Sequence, residues 1–331
     1  MAESTLSVDY TVLRRTIGRY LGWDRNPTAW ATDETADGDD IIEAALRQFY
    51  TAYDWSFMYP VAKLVTDASF TTGTIGITTG TVELTGTTWP SWLIAATATD
   101  ATISVAGVTY DVATRTDGDT LELVDSSVTG IATGTSYTLG RESYVLPDDF
   151  GALYGPFVMR PGTTTYFGPI TSVPQSQILQ AKQRSEYFNA PSNYAIRPKA
   201  YDATDGQRHE VLFWPTPDAN YEMTYQYYAN PNKLTTSNKY PLGGMAHSET
   251  ITLSCLSKAE QALNDGVTNG IPDYYANKYR ESLATSIVFD RNANTPDSVG
   301  YNDDNSDRDN LDEFNVHLLS RNTTEYDNTS L

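Results

Sequence analysis

The chain of 331 residues has one cysteine, Cys255, and three histidines, His209, His247 and His317. A single thiol excludes an intramolecular disulfide framework and a Cys-based zinc site, and it fits a reducing compartment. The histidines stand far apart, and no HExxH, paired CxxC or Ser/His/Asp signature accompanies them. No motif therefore points to a metal centre or an activated nucleophile, and the reading is that the chain is not an enzyme. Basic residues are scarce as well, 22 against 42 acidic ones, for a formal net charge of -20. A basic surface that grips nucleic acid phosphates is not expected on that balance. No apolar run approaches the roughly 20 residues that span a bilayer, and the N-terminal MAESTLSVDY lacks the basic and apolar regions of a signal peptide. A soluble product of the cytoplasm with no membrane partner is expected. The Gly-rich piece TTGTIGITTG has no GxxxxGK[ST] pattern, so no nucleotide and no other cofactor is expected.

What is present is a folded composition, 40% hydrophobic, in a chain long enough for two or three compact units. Tyrosine is abundant, with 23 copies, more than an ordinary core requires. Because its ring is apolar and its tip polar, Tyr is common at interfaces, and assembly with other chains is expected.

Amphipathic helical patterns occupy both ends. Tyr10, Leu13, Ile17 and Leu21 recur at helical spacing behind Ser7 or Asp9 as a cap, with Gly22 as a stop. Ile42, Ala45, Leu46, Phe49 and Tyr53 mark a second helix that stops at Pro60, with Asp37, Asp39, Asp40 and Glu43 read as favouring its positive N-terminal pole. Ile251, Cys255, Ala259 and Leu263 mark a third helix, and Ala276, Tyr279, Leu283 and Ile287 a fourth, opened by Pro272. Since a lone amphipathic helix cannot hide its apolar face, these helices are expected to form one antiparallel bundle, residues 1–65 with 235–295.

Between them lie two β regions. Residues 66–142 are rich in Thr, Gly, Val and Ala. Ile103 and Val105 alternate with Val108, Tyr110 and Val112 across Ala106-Gly107, which reads as a hairpin, and 81–85, 120–124 and 135–139 also read as strands. A small inserted barrel or sandwich of about five strands is expected there. The stretch SYVLPDDF, 143–150, closes this unit, and its Asp148 and Asp149 read as turn formers rather than a catalytic pair. Residues 143–234 form a second β-rich region with a short helix near 175–184. In it HEVLFWPTPDANYEMTYQYYA carries two extended arms around Pro215 and Pro217, and Tyr221, Tyr225 and Tyr227 alternate with polar residues. A sugar or nucleobase platform is one reading of that row. A subunit interface is preferred.

The segment 296–331 is Asn-, Asp- and Ser-rich and reads as an extended arm. Its apolar island, Leu311, Phe314, Val316, Leu318 and Leu319, suits a helix face or a strand and should dock on a partner. The fold class is therefore α+β: a helical bundle, two β insertions and a C-terminal arm.

With the layout goes a resemblance. The runs IIEAALRQFYTAYDW, SYVLPDDF, VLFWPTPDANYEMTYQYYANPNKL and ETITLSCLSKAEQAL, over residues 37–265 with gaps, resemble the head-to-tail adaptors of tailed bacteriophages, also called connector, tail tubular or head completion proteins. The β unit at 66–140 goes beyond the minimal helical adaptor. The resemblance implies a virion protein of the neck, made in the host cytoplasm, in a homo-oligomeric ring usually of twelve copies. Its partners would be the portal protein, through the C-terminal arm, and a tail or nozzle protein, with DNA passing through the lumen unbound. Two other readings stay open: another tail structural component such as a nozzle, tube or decoration protein, or a glycan-binding or glycan-hydrolysing tail component.

Overall fold

The computed structural model describes residues 3–93, 100–159, 168–184, 187–201, 203–204, 206–263 and 274–294. The chain divides into two compact units, Met1–Ile287 and Val288–Leu331, the second described over residues 288–294 alone. The fold is α+β, with five α-helices among the described residues and a curled antiparallel sheet, a half-barrel. In chain order, α1 (Tyr10–Leu21) and α2 (Thr32–Thr51) precede β1 (Val61–Val65), β2 (Thr74–Thr78), β3 (Thr81–Thr85), β4 (Ala101–Val105), β5 (Val108–Arg115), β6 (Thr120–Leu123), β7 (Ile131–Thr135) and β8 (Tyr137–Arg141). Then come β9 (Ser143–Val145), β10 (Phe150–Met159), β11 (Gly168–Pro169), β12 (Thr171–Ser172), α3 (Gln175–Arg184), β13 (Asn193–Pro198), β14 (His209–Trp214), β15 (Glu222–Ala229), α4 (Gly244–Leu263) and α5 (Tyr274–Asn294).

The helices from the two ends of the chain share one core. Leu13 and Ile17 of α1 meet Ile42, Ala45 and Phe49 of α2, Ile251, Cys255 and Ala259 of α4, and Tyr279 of α5. Each set falls on one face at spacings of three and four, which is why the periodicity is visible in the sequence. Asp9 caps α1, its carboxylate accepting from Val12 N at 2.7 Å, and Gly22 ends the helix at φ 81° in the left-handed region. Polar bonds join the later helices: Thr250 on α4 shares hydroxyl contacts of 2.6 Å with Ser282 and Ser286 on α5. Pro272 lies outside the described residues.

α2 starts well before its apolar pattern, at Thr32, with Asp33 and Glu34 in its first turn. Glu34 accepts from Ala31 N at 2.9 Å there. Asp37, Asp39, Asp40 and Glu43 thus sit beyond the first turn, where the pole of the helix has faded, and the dipole reading of those four carboxylates does not hold.

The inserted β unit is the curled sheet, in the order β7-β2-β3-β6-β5-β4-β8, around Ile75, Val82, Ile103, Val112 and Leu121. The hairpin is as read from the sequence, turning through Ala106 and Gly107 at φ 51° and 81°. The single strand expected at 135–139 is instead the end of β7 and the start of β8. The chain passes from one end of the sheet order to the other across Ser136, and uniform Thr/Gly composition carries no mark of that break. Phe70 N donates to Leu139 O at 2.8 Å and Leu139 N to Phe70 O at 2.9 Å, which closes the entrance to the unit.

Two four-stranded sheets make up the second β region, β1-β15-β10-β11 and β12-β13-β14-β9. They face each other across one core, Leu64, Phe157, Met223 and Tyr225 on the first and Tyr144, Tyr194, Val211 and Phe213 on the second. α3 covers the outer face of the second sheet, Ile178 packing on Ala195 and Leu212. Two placements differ from the sequence reading. Residues 61–65, assigned to the helical part, pair with β15 as an edge strand, and the two arms around Pro215 lie in different sheets rather than side by side. Neither partner is near in sequence, so local pattern could not name it.

Candidate interaction surface

The tyrosine row of β15 points into the protein. Tyr221, Tyr225 and Tyr227 are 6%, 3% and 6% exposed, inside the core between the two sheets. Tyr225 lies 4.6 Å from Phe157 and Tyr227 stacks 5.6 Å from Phe150. As core rings of this chain they leave almost no surface for a second copy, which corrects the interface role expected of them. The alternation was legible, but alternation alone does not say which covered face a row belongs to. Their hydroxyls reach carboxylates at the rim: Tyr221 donates to Asp218 at 2.6 Å and Tyr227 to Asp149 at 2.9 Å. Burial first, then that bond to Asp149, pushes the Tyr227 hydroxyl up to about 12, and burial brings Tyr225 to about 12 as well.

Residues of the joint at 143–150 are tied into the fold by hydrogen bonds and ion pairs. The backbone carbonyl of Asp149 accepts from Asn230 N at 2.6 Å, and Asp148 pairs with Arg208. Buried Glu210 accepts from Ser143 at 3.0 Å and pairs with Arg197, tying β9, β13 and β14 together. Among the described residues no group of three or more His, Cys, Asp or Glu could hold a metal ion. Cys255 is fully buried, and burial pushes its thiol up to about 12. His247 is packed among Phe49, Trp55 and Phe57, with ring centroids 5.0 to 5.9 Å apart. Leu311, Phe314, Val316, Leu318 and Leu319 lie outside the described residues.

What the first sheet does offer is its other face and its edge. β1, β15 and β10 align Val61, Gln226 and Tyr154 in one row, and Lys63, Thr224 and Val158 in the next. With Val65, opposite Glu222, four outer-face positions are open apolar surface: Val61 is 63% exposed, Val65 56%, Tyr154 59% and Val158 45%. Tyr59 extends the patch, 4.8 Å from Tyr154 and 5.6 Å from Tyr228. Lys63 pairs with Glu222 at 2.8 Å within it. At the Tyr59 and Tyr228 end this face packs on the helical core, and beyond it Val61, Val65, Tyr154 and Val158 stay exposed.

Among the described residues the edge is free in a defined register. Tyr227 N donates to Pro60 O at 3.2 Å and Thr66 N to Tyr221 O at 3.0 Å, so the even-numbered positions 60 to 66 turn their backbone groups toward β15. In an antiparallel ladder the intervening residues face the other way. Val61, Lys63 and Val65 therefore present their N–H and C=O groups outward along the end of the sheet. An edge of that kind accepts another strand, and burying a valine beside it contributes about 1.5 kcal/mol or more. No residue in the chain was singled out for this from the sequence, because the exposure of β1 depends on where β15 lies.

No helix among the described residues is long and apolar enough to cross a membrane. Comparison with known proteins finds no family model that matches the chain and no significant match among curated proteins.

Proposed function

We propose that the chain is a structural subunit of a tailed-bacteriophage neck, an adaptor ring between portal and tail that DNA crosses on ejection. One observation carries the reading. Helices from both ends of the chain share a core, both β regions are inserted between them, and among the described residues the first sheet is left with exposed apolar side chains on its outer face and an unpaired edge. A protein that works alone seldom leaves both. In this reading α1, α2, α4 and α5 act as the antiparallel bundle that forms the ring wall. The outer face of β1-β15-β10, in place of the tyrosine row, supplies contact to a neighbouring subunit. The segment 296–331 is the arm that reaches the portal, and the acid excess keeps the lumen from holding the duplex. Twelve copies, a virion location and synthesis in the host cytoplasm follow from the same resemblance.

Electron microscopy and native mass spectrometry of the purified chain, alone and with the portal protein of its own virion, test the proposal. A closed ring seated on the portal is expected. A chain that stays monomeric and does not attach to the portal overturns it.

A further inference from the structure

A groove of about 390 Å3 opens between the end of α1, the second and third turns of α2, and the end of α4. Leu21, Ile41 and Leu263 give it apolar walls, the indole of Trp23 forms one side, and Asp37 and Asp40, one turn apart on α2, stand at its rim. The indole is fixed in place. Trp30 is slotted between the helices where both carry glycine, since a Cβ at Gly18 would lie 2.4 Å and one at Gly38 2.8 Å from its ring. Trp30 donates to Asp24 O at 2.7 Å, and Trp23 meets it edge-on, centroids 5.0 Å apart at 76°. Trp23 N is held by Gly18 O at 2.8 Å.

The neighbouring acids differ in one respect. Asp39 accepts from Tyr10 at 2.7 Å and faces Arg14 at 3.5 Å, whereas the carboxylates of Asp37 and Asp40 have no hydrogen bond or ion pair among the described residues. Two uncommitted carboxylates at the mouth of a hydrocarbon-walled groove with an aromatic side match one chemistry, a cation on an apolar stem. The ammonium or guanidinium head meets the carboxylates and the indole, and the methylenes lie along Leu21, Ile41 and Leu263.

We propose that this groove is a docking site for a basic side chain, Lys or Arg beside apolar neighbours, on a segment of a partner protein. The charge balance favours such a partner, because a chain with 42 acidic and 22 basic residues attracts cationic segments over long range. The site stands independently of the neck reading, which assigns contact to the β1 sheet and to the arm.

The test uses the full chain labelled with 15N in its indoles, whose six signals are few enough to follow, with Trp23→Phe assigning one of them. The probe is the peptide acetyl-Leu-Lys-Leu-Arg-Leu-amide, and its control replaces both basic residues with Gln. A saturable shift of the Trp23 signal with the basic peptide, absent with the control, is expected. Asp37→Asn with Asp40→Asn should weaken it about fivefold or more. Both acids are exposed and their carboxylates have no hydrogen bond or ion pair among the described residues, so the double variant should melt as the parent does. Absence of a shift at millimolar peptide, an equal shift with the Gln control, or unchanged affinity in the double variant each overturns the proposal.

Discussion

At the residue scale the tyrosines of β15 link the fold to pH. Tyr225 and Tyr227 are held at about 12 by burial, with the bond to Asp149 adding to it for Tyr227. Exposed in the unfolded chain, a phenol titrates near 10. Between those values the folded protein keeps protons that the unfolded chain has released, so stability is fully present below about pH 10 and is lost as pH rises through about 12. Melting temperature against pH, followed with tyrosinate absorbance, should show that loss in a single cooperative step. Tyr227→Phe should cost about 1 kcal/mol at neutral pH for the lost hydrogen bond and make the alkaline slope shallower. An unchanged slope would show that this hydroxyl is already titrating in the folded state. Gly38 gives a second residue-scale expectation. Its Cβ position is 2.8 Å from Trp30, a rigid ring pinned on its other side by Gly18, so Gly38→Ala should cost about 1 to 3 kcal/mol in denaturant unfolding.

At the element scale the exposed edge of β1 separates folding from assembly. Val61 and Val65 are more than half exposed and give little to the core, so replacing both with Lys should change stability by less than about 0.5 kcal/mol. On the neck reading the same pair should abolish ring formation, because charges on an edge disfavour a joining strand. Sedimentation beside a thermal melt reads both quantities. Elements differ in how openly the sequence announces them, and for physical reasons. α1, α2, α4 and α5 carry their apolar stripe in their own residues, and α3 follows Pro174 as read. The β4-β5 hairpin is equally local, fixed by a two-residue turn. β1 and the sheet membership of β14 and β15 depend on partners far along the chain, and β10, interrupted by Gly155 and Pro156, shows no clean alternation at all. The candidate surface was hidden for the same cause. Tyr221, Tyr225 and Tyr227 announced a buried face correctly by period, but only the second sheet, packed on them, decides that their cover comes from within.

At the scale of the whole molecule the question is what the segment 296–331 adds. Leu311, Phe314, Val316, Leu318 and Leu319 together carry enough apolar area to contribute several kcal/mol on burial at about 25 cal/mol per Å2, before the cost of ordering the segment. On the neck reading, one arm on one partner is then a weak contact. Arms held together by a ring act at a high effective concentration, and a weak contact repeated around the ring becomes a stable joint. Two outcomes of removing residues 296–331 can be told apart on that basis. If the arm serves assembly, the truncated chain melts as the full chain does, since the helical and sheet cores lie within 1–287, but it no longer co-sediments with the portal. If instead those side chains pack on their own subunit, the truncation lowers the melting temperature by several degrees and leaves portal attachment intact. The neck reading requires the first outcome, and its strength should also fall steeply when truncated and full-length subunits are mixed, because each missing arm removes one of the linked contacts.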